Sequence, residues 1–175
     1  MKVLVLQGGV DIDSSIYNEP RSKYAQHPHI ERDKRELASI KHAIDNNIPI
    51  VGICRGAQLL CAVHGGKLHQ HTEPHTQNHA IITSDGQGFM GVPASHHQIM
   101  VPHGDYEVLA WNPSLVRIYN EDGTYREEAN TPEVIYYPTL RHLAIQPHPE
   151  WCLASDPFVK YVNSLLYKFR IGFQF

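Results

Sequence analysis

A cysteine between two glycines is the strongest candidate for a reactive group. The segment Gly52-Ile53-Cys54-Arg55-Gly56 follows a buried apolar run and precedes an apolar helical pattern. This is the layout of a G-x-nucleophile-x-G elbow, in which a strained turn leaves no room for bulk two residues before or after the nucleophile. The start of a helix also favours a thiolate and a developing oxyanion. The pattern predicts Cys54 as a nucleophile, with a buried structural cysteine as the alternative.

A thiolate nucleophile needs a base, and the base needs a group that orients it. His148-Pro149-Glu150 follows the apolar run 143–146. A residue before proline is pushed toward extended backbone, where side chains two residues apart point the same way. Glu150 is therefore predicted to hold one imidazole nitrogen of His148 while the other faces Cys54. A surface turn is the alternative interpretation of this motif.

Gly8-Gly9 follows the first apolar run of the chain. Consecutive glycines at the carboxyl end of a strand let backbone N–H groups approach a ligand closely. In a parallel sheet these glycines would lie beside Cys54. The backbone N–H groups of Gly9 and Arg55 are then predicted to form an oxyanion hole.

The first half of the chain has the pattern of parallel α/β architecture. Apolar residues recur every three or four positions over 31–47, which predicts a helix with one buried face. Apolar runs on either side of it predict two buried strands, and a second helix follows the elbow. The polar stretch between the first strand and the first helix is predicted to be a long functional loop. The predicted elements are strands 2–6 and 48–53, helix 31–47, an apolar segment 57–63 and a loop over 10–30.

The second half has short β-like runs separated by Gly, Pro, Asn and Asp, which predicts antiparallel hairpins added to the sheet. Asp156-Pro157 marks the start of a final helix with one apolar face. The predicted strands are 80–83, 106–111, 115–119, 133–137 and 142–146. Since no repeat or linker divides the chain, residues 1–175 are expected to form a single domain.

Composition excludes several classes of protein. The chain has 175 residues, a formal net charge of −3 and 42% hydrophobic residues. These values argue against a disordered chain and against a basic nucleic-acid-binding protein. No apolar run reaches the roughly 18 residues of a membrane helix, and the short N-terminal run is expected to be a buried strand rather than a signal peptide. Three cysteines without C-x-x-C spacing fit a reducing compartment, so the expected location is the cytoplasm.

Histidines are crowded between positions 64 and 79, where five of the 13 occur. His75 and His79 have helical spacing, and with His69 or His71 they would make a metal site. Because there is no H-E-x-x-H motif and no cysteine pair, zinc as the main function is the weaker interpretation. The segment 86–91 spells G-x-G-x-x-G, but no helical pattern follows it, so dinucleotide binding is not expected.

Five short motifs occur in a fixed order along the chain. They are LQGGVDID with YNE over 6–19, RD with EL over 32–37, GICRGAQLL at 52–60, HHQ at 96–98 and QPHPE at 146–150. Together they resemble the class I glutamine amidotransferase superfamily, and within it the gamma-glutamyl hydrolase branch typified by gamma-glutamyl-gamma-aminobutyrate hydrolases. The resemblance runs from about Leu6 to Trp151.

This resemblance implies a flavodoxin-like three-layer α/β sandwich, with a mainly parallel central sheet and added antiparallel hairpins. It implies attack of a cysteine thiolate on a γ-carboxamide, a γ-glutamyl thioester and then hydrolysis, without metal or organic cofactor. The residues to which it assigns roles are Cys54, His148 and Glu150 as the catalytic triad, Gly9 and Arg55 as oxyanion donors, and Gly8, Gln58, Ser95 and His97 as the γ-glutamyl pocket.

The N-terminal part departs from the family pattern. The branch has two further strand and helix units before its G-G segment, whereas the first strand here starts at Lys2. The sheet is therefore expected to be N-terminally shortened, with an edge that a homodimer would cover. Single positions depart from the family pattern as well. Ser14 stands where the branch has Pro, and Asn18 where it has Gly. Ala94 stands where Ser is expected, and Pro147 where the branch has Trp.

Three functions fit these observations. The first is a free-standing hydrolase of a γ-glutamyl amine or peptide. The second is a glutaminase subunit that passes ammonia to a separate synthetase and is stimulated by that partner. The third is a catalytically silent binding protein that uses loop 10–30 or the histidines. The complete Cys54, His148 and Glu150 set favours an enzyme acting on a small molecule, with neither nucleic acid nor membrane as partner.

Overall fold

The computed structural model describes residues 2–74 and 77–175. The helices are α1 (Ile30–Asp45), α2 (Arg55–Val63) and α3 (Pro157–Lys168), with short 3₁₀ turns at Ser14–Tyr17 and Pro149–Trp151. Within the described ranges, no helix has both the length and the apolar character needed to cross a bilayer.

The central sheet has seven strands. It contains β1 (Leu4–Leu6), β2 (Ile50–Ile53), β5 (His79–Thr83), β6 (Gly88–Val92), β8 (Glu107–Asn112), β11 (Thr131–Tyr137) and β12 (His142–Ile145). Their order across the sheet is β1-β2-β12-β11-β8-β5-β6. The α/β class and the antiparallel hairpins added in the second half, both predicted above, are confirmed.

Parallel pairing places the candidate residues together. Strand β2 pairs in parallel with β1 on one side and with β12 on the other. Leu6 is in register with Gly52, and Ile145 with Ile53. Because these three strands end at the same edge of the sheet, the segments that follow them meet there.

Both faces of the sheet are covered, which gives three layers. On one face α1 and α2 pack through residues such as Ile40 and Leu59. On the other face α3 packs through Phe158, Val162 and Leu166. The apolar face predicted for the last helix is thus confirmed, and the predicted Asp156 cap accepts a hydrogen bond from the Phe158 backbone N–H at 2.8 Å.

The sequence did not predict β6 in the central sheet, nor most of the short strands outside it. The strands outside that sheet are β3 (Lys67–His69), β4 (Thr72–Glu73), β7 (Ile99–Val101), β9 (Val116–Tyr119) and β10 (Tyr125–Glu128), of which only β9 was expected. Strands β10, β9 and β4 form one small sheet, and β3 pairs with β7. The G-x-G-x-x-G segment lies in the β5–β6 hairpin, so it has no dinucleotide-binding strand-to-helix turn.

Candidate active site

Cys54 sits in the turn between β2 and α2, with φ 50° and ψ −109°. Ordinary L residues rarely adopt such a backbone conformation, and its persistence at one residue is typical of functional sites. A Cβ built on Gly52 would lie 2.4 Å from the Gly56 carbonyl oxygen, and one built on Gly56 would lie 2.4 Å from the Leu6 carbonyl oxygen. The elbow therefore has no space for a side chain on either side, as the sequence predicted.

Replacing Gly52 by alanine is expected to damage the elbow, because the nearest obstacle is backbone and cannot rotate away. We expect Gly52→Ala to lower the free energy of unfolding by about 1–3 kcal/mol. Gly88→Ala is the matched control, since a Cβ there meets nothing within 4 Å. Urea unfolding of both variants measures the difference, and equal stabilities would contradict this account of the turn.

The Cys54 thiol is buried and 3% exposed. Its Sγ lies 4.0 Å from the Ser95 carbonyl oxygen. Burial raises the pKa of the Cys54 thiol to about 12, and the nearby carboxylates of Glu150 and Asp11 add to this rise. The backbone N–H of Arg55 lowers the same pKa, as expected of a helix start, but burial outweighs it. The resting site therefore holds a thiol, so attack on a substrate requires a base.

His148 and Glu150 form the pair that the sequence predicted. His148 Nδ1 lies 2.7 Å from Glu150 Oε1, and the imidazole stacks on the Trp151 ring with centroids 3.6 Å apart. The backbone differs from the prediction, because Pro149–Trp151 is a 3₁₀ turn rather than extended chain. The turn, the carboxylate and the indole together fix the imidazole plane.

Gly8 lies close to both His148 and Cys54. A Cβ built on Gly8 would be 2.9 Å from His148 Cε1 and 3.6 Å from Cys54 Cβ. Arg32 fixes this loop from the other side, since its guanidinium donates to the Gly8 carbonyl at 3.0 Å and to the Gln7 carbonyl at 2.8 Å. The glycine loop is thus held against the side chains of the elbow and of the base.

A buried ion-pair network anchors the elbow to α1. The Arg55 side chain is 0% exposed and pairs with both Asp33 and Glu36. Glu36 also accepts a hydrogen bond from Arg32 Nε at 2.8 Å. The R-D-x-x-E motif therefore joins the helix to both the elbow and the glycine loop. The sequence contained this motif as part of the resemblance, but its physical role was missed because the partners lie far apart in the chain.

A cavity of about 670 Å³ opens above the elbow, within the usual range for small-molecule sites. Its polar lining contains the predicted Gly8, Gly9, Cys54, Ser95, His148 and Glu150. Its apolar lining includes Trp151, Phe173 and Phe175, to which the sequence analysis gave no role. Their signal was present as aromatic residues at the C-terminus, but nothing local indicated that the tail returns to the site.

Two of the predicted pocket residues do not line this cavity. Gln58 is buried, and its amide donates to the Gln98 carbonyl at 3.3 Å. His97 Nε2 lies 3.0 Å from Asp11 Oδ2, and the same oxygen accepts from the Gln26 backbone N–H at 2.8 Å. Roles for Gln58 and His97 in substrate binding remain predictions.

The crowded histidines separate into different environments. His71 stacks on Tyr24 with ring centroids 4.4 Å apart, and His69 lies 3.9 Å from Glu128. His75 lies outside the described residues. Within the described part of the chain, neither His69 nor His71 belongs to a group of three converging metal ligands.

Comparison with known proteins places this geometry in a family. The family model described as Peptidase C26 matches residues 1–112. The glutamine amidotransferase-like protein YvdE of Lactococcus lactis subsp. lactis is 30% identical over 179 residues, covering 90% of this chain and 69% of YvdE. Rv2859c of Mycobacterium tuberculosis, whose name includes the words glutamine amidotransferase, is 39% identical over 71 residues. That match covers 41% of this chain and only 23% of the relative.

Solved structures agree on the fold. A crystal structure of a protein described as part of a GMP synthase, from Thermoplasma acidophilum, superposes with a TM-score of 0.60 at 19% identity. The superposition covers 95% of this chain and 70% of the neighbour, which supports the fold alone. The chain belongs to the Peptidase C26 family of the class I glutamine amidotransferase superfamily.

Proposed function

We propose that this chain is a cysteine-dependent hydrolase that cleaves the γ-glutamyl amide bond of a γ-glutamyl amine or peptide. The single observation that carries the proposal is the placement of Cys54, in a strained elbow, in one cavity with the His148–Glu150 pair. A nucleophile, a base and an orienting carboxylate are the minimum set for acyl transfer through a covalent intermediate. Neither a metal nor an organic cofactor is needed for this reaction.

The first half-reaction forms the thioester. His148 accepts the Cys54 proton as sulfur attacks the γ-carbonyl carbon, and Glu150 stabilises the imidazolium. The carbonyl electrons move onto oxygen, where the backbone N–H groups of Gly9 and Arg55 are proposed to stabilise the charge. Within the described ranges, the Gly9 N–H donates to no protein acceptor, so it is available for this role. Collapse of the oxyanion breaks the C–N bond, and the amine leaves with the proton from His148.

The second half-reaction hydrolyses the thioester. His148 takes a proton from a water molecule as the water oxygen attacks the thioester carbon. The carbon–sulfur bond then breaks, glutamate leaves, and the thiol of Cys54 regains a proton. Because a thiol must stay reduced to act in this way, we propose a cytoplasmic location.

The cavity wall favours a leaving amine with an apolar body. Trp151, Phe173 and Phe175 line the cavity in addition to the catalytic groups. The C-terminal segment is held there by Asn163, whose Oδ1 accepts from the Phe175 backbone N–H at 2.9 Å. Since buried aromatic surface stabilises apolar ligands, a γ-glutamyl amine should bind better than glutamine, whose leaving group is only ammonia.

Glutamate release from γ-glutamyl-p-nitroanilide and from glutamine, each with the purified chain alone, tests the proposal. We expect turnover of both, with a higher kcat/KM for the anilide, because the aromatic wall contacts only the larger leaving group. Phe175→Ala should reduce this preference while leaving glutamine turnover nearly unchanged. If the chain alone hydrolyses neither the anilide nor glutamine, the proposal of a free-standing hydrolase is refuted.

A glutaminase subunit is the second candidate. The names of both sequence relatives contain glutamine amidotransferase, the class that transfers an amide nitrogen to an acceptor. This candidate predicts slow glutamine turnover by the chain alone and stimulation by a synthetase partner. It also predicts that Phe175→Ala leaves the ratio of anilide to glutamine turnover unchanged, so the same kinetic comparison distinguishes the two functions.

Glu150→Gln is expected to lower kcat by roughly 10²-fold, less than loss of the nucleophile, because Glu150 orients the base and does not attack. The amide still reaches His148 Nδ1 but carries no charge to stabilise the imidazolium. Steady-state kinetics with the anilide measures the loss. Glu127→Gln, at an exposed strand position, serves as the control and should retain full activity. Wild-type kcat in Glu150→Gln would exclude the proposed role.

A further inference from the structure

Two histidines and a glutamate converge beside, but outside, the proposed catalytic residues. They are His79 at the start of β5, His96 in the loop before β7, and Glu133 in β11. Each offers one ligand atom, and these atoms lie within 4.8 Å of one another. Of the histidines considered as ligands from the sequence, His79 belongs to this set, whereas His69 and His71 do not.

The distances suit a small transition-metal ion. His79 Nε2 lies 3.1 Å from Glu133 Oε1, and His96 Nε2 lies 3.8 Å from Glu133 Oε2. Two ligand atoms that are each about 2.1 Å from a tetrahedral zinc lie roughly 3.4 Å apart. Within the set the separations reach up to 4.8 Å, so side-chain movement would have to close the widest of them to roughly 3.4 Å for one ion to bind all three donors.

Both imidazoles are oriented as metal ligands usually are. His79 Nδ1 lies 3.2 Å from the Gln77 carbonyl oxygen, and His96 Nδ1 lies 3.0 Å from the Gln98 carbonyl oxygen. A carbonyl only accepts, so each Nδ1 carries a proton and donates it. In the neutral tautomer, Nε2 then presents its lone pair toward Glu133. Donation of the second ring nitrogen to a backbone carbonyl is the typical outer-shell arrangement of metal-bound histidine.

The three side chains are also largely removed from water. Those of Glu133 and His96 are 0% and 1% exposed, and that of His79 is 11% exposed. A buried carboxylate is stabilised by positive charge, which either an imidazolium proton or a metal ion can supply. A divalent ion would take the place of the proton between His79 and Glu133 and would be coordinated by both imidazoles at once. Two nitrogens and one carboxylate oxygen form a donor set suited to zinc rather than to magnesium or calcium.

We propose that His79, His96 and Glu133 form a structural site for a divalent transition-metal ion, with Zn²⁺ the best match. The ion would link β5 to β11. It would also link both strands to the loop that contains His96 and Ser95, where the Ser95 carbonyl oxygen lies 4.0 Å from Cys54 Sγ. It takes no part in the thioester chemistry. The site depends only on the fold and would be present whichever γ-glutamyl reaction the chain performs.

Metal content of the full chain tests this site. The protein is dialysed against excess Zn²⁺ and then against metal-free buffer, and zinc is measured by mass spectrometry. We expect about one Zn²⁺ per chain, retained in Cys54→Ala, and a Tm raised on the order of 10 °C over chelator-treated protein at zinc concentrations far above Kd. The Co²⁺ form should show visible bands of a four- or five-coordinate site without thiolate charge transfer.

Substitution of the proposed ligands tests where the ion binds. Glu133→Gln and His96→Gln should each lose the stoichiometric zinc and its Tm increase, while His69→Gln, the control at another histidine near a carboxylate, should keep both. Wild-type protein with less than about 0.1 Zn²⁺ per chain and no Co²⁺ bands would overturn the proposal, in favour of a metal-free His–Glu ion pair. Full zinc content in both cluster variants would also overturn it. If the variants do not fold, the wild-type zinc and cobalt measurements decide.

Discussion

We expect Cys54→Ala to abolish the proposed γ-glutamyl hydrolysis and to leave the fold intact. We expect kcat to fall at least about 10⁴-fold, because the described lining of the cavity contains no other thiol to form the covalent intermediate. Alanine is smaller than cysteine, so it adds no contact in the crowded turn between Gly52 and Gly56. Glutamate release measures activity, and urea unfolding establishes that the variant is folded.

The other two thiols provide the matched controls. Cys61 is buried in α2, with Sγ 3.7 Å from the Lys67 carbonyl oxygen, and Cys152 is half-buried. Neither lines the cavity around Cys54. Cys61→Ala and Cys152→Ala should therefore keep kcat within a few-fold of wild type. A Cys54→Ala variant that releases glutamate at the wild-type rate would show that the thiol does not attack the substrate.

Arg55→Met should be the most destabilising substitution in the site. It leaves the carboxylates of Asp33 and Glu36, 4% and 17% exposed, without their buried partner. Breaking a buried pair in this way costs about 3–5 kcal/mol, a large part of the 5–15 kcal/mol typical of a whole domain. Activity should fall as well, because the same guanidinium fixes the elbow to α1.

An exposed ion pair on α1, the helix that carries Asp33 and Glu36, provides the comparison. Lys41 and Asp45 pair at 2.8 Å with 76% and 55% of their side chains exposed. Lys41→Met should change the free energy of unfolding by less than about 1 kcal/mol. The double variant Arg55→Met with Asp33→Asn should recover part of the lost stability, because one uncompensated charge is removed. Equal losses in Arg55→Met and Lys41→Met would contradict a buried network.

The parts of the site fixed by local sterics could be predicted from the sequence. The elbow follows from the two glycines around Cys54, since a strained turn excludes side chains there. The start of α3 follows from Asp156-Pro157, a cap followed by a residue without a backbone donor. In both cases the controlling interactions lie within a few residues of each other.

Features that depend on distant partners could not be predicted in the same way. Arg55 reaches Asp33 across 22 positions, and His79 reaches Glu133 across 54. Histidine crowding along the sequence pointed to His75 and His79 with His69 or His71, whereas the convergent set joins His79 to His96 and Glu133. Strands β3, β4 and β7 escaped prediction because two or three residues cannot show a period.

The contact between His148 and Glu150 shows how a prediction can be right about a contact for a different reason. Extended backbone around Pro149 was expected to align His148 with Glu150. The structure makes the same contact at 2.7 Å through a 3₁₀ turn, with Trp151 packed on the imidazole. Residue types and close spacing determined the partners, while the backbone geometry depended on packing around the cavity.

Labelling with an electrophilic glutamine analogue, followed by intact-mass analysis and peptide mapping, tests the central claim most directly. It requires no knowledge of the leaving amine. We predict a single adduct on Cys54, suppressed by free glutamine and reduced in Glu150→Gln. The absence of an adduct, or equal labelling of Cys61 and Cys152, would contradict a γ-glutamyl pocket built around Cys54.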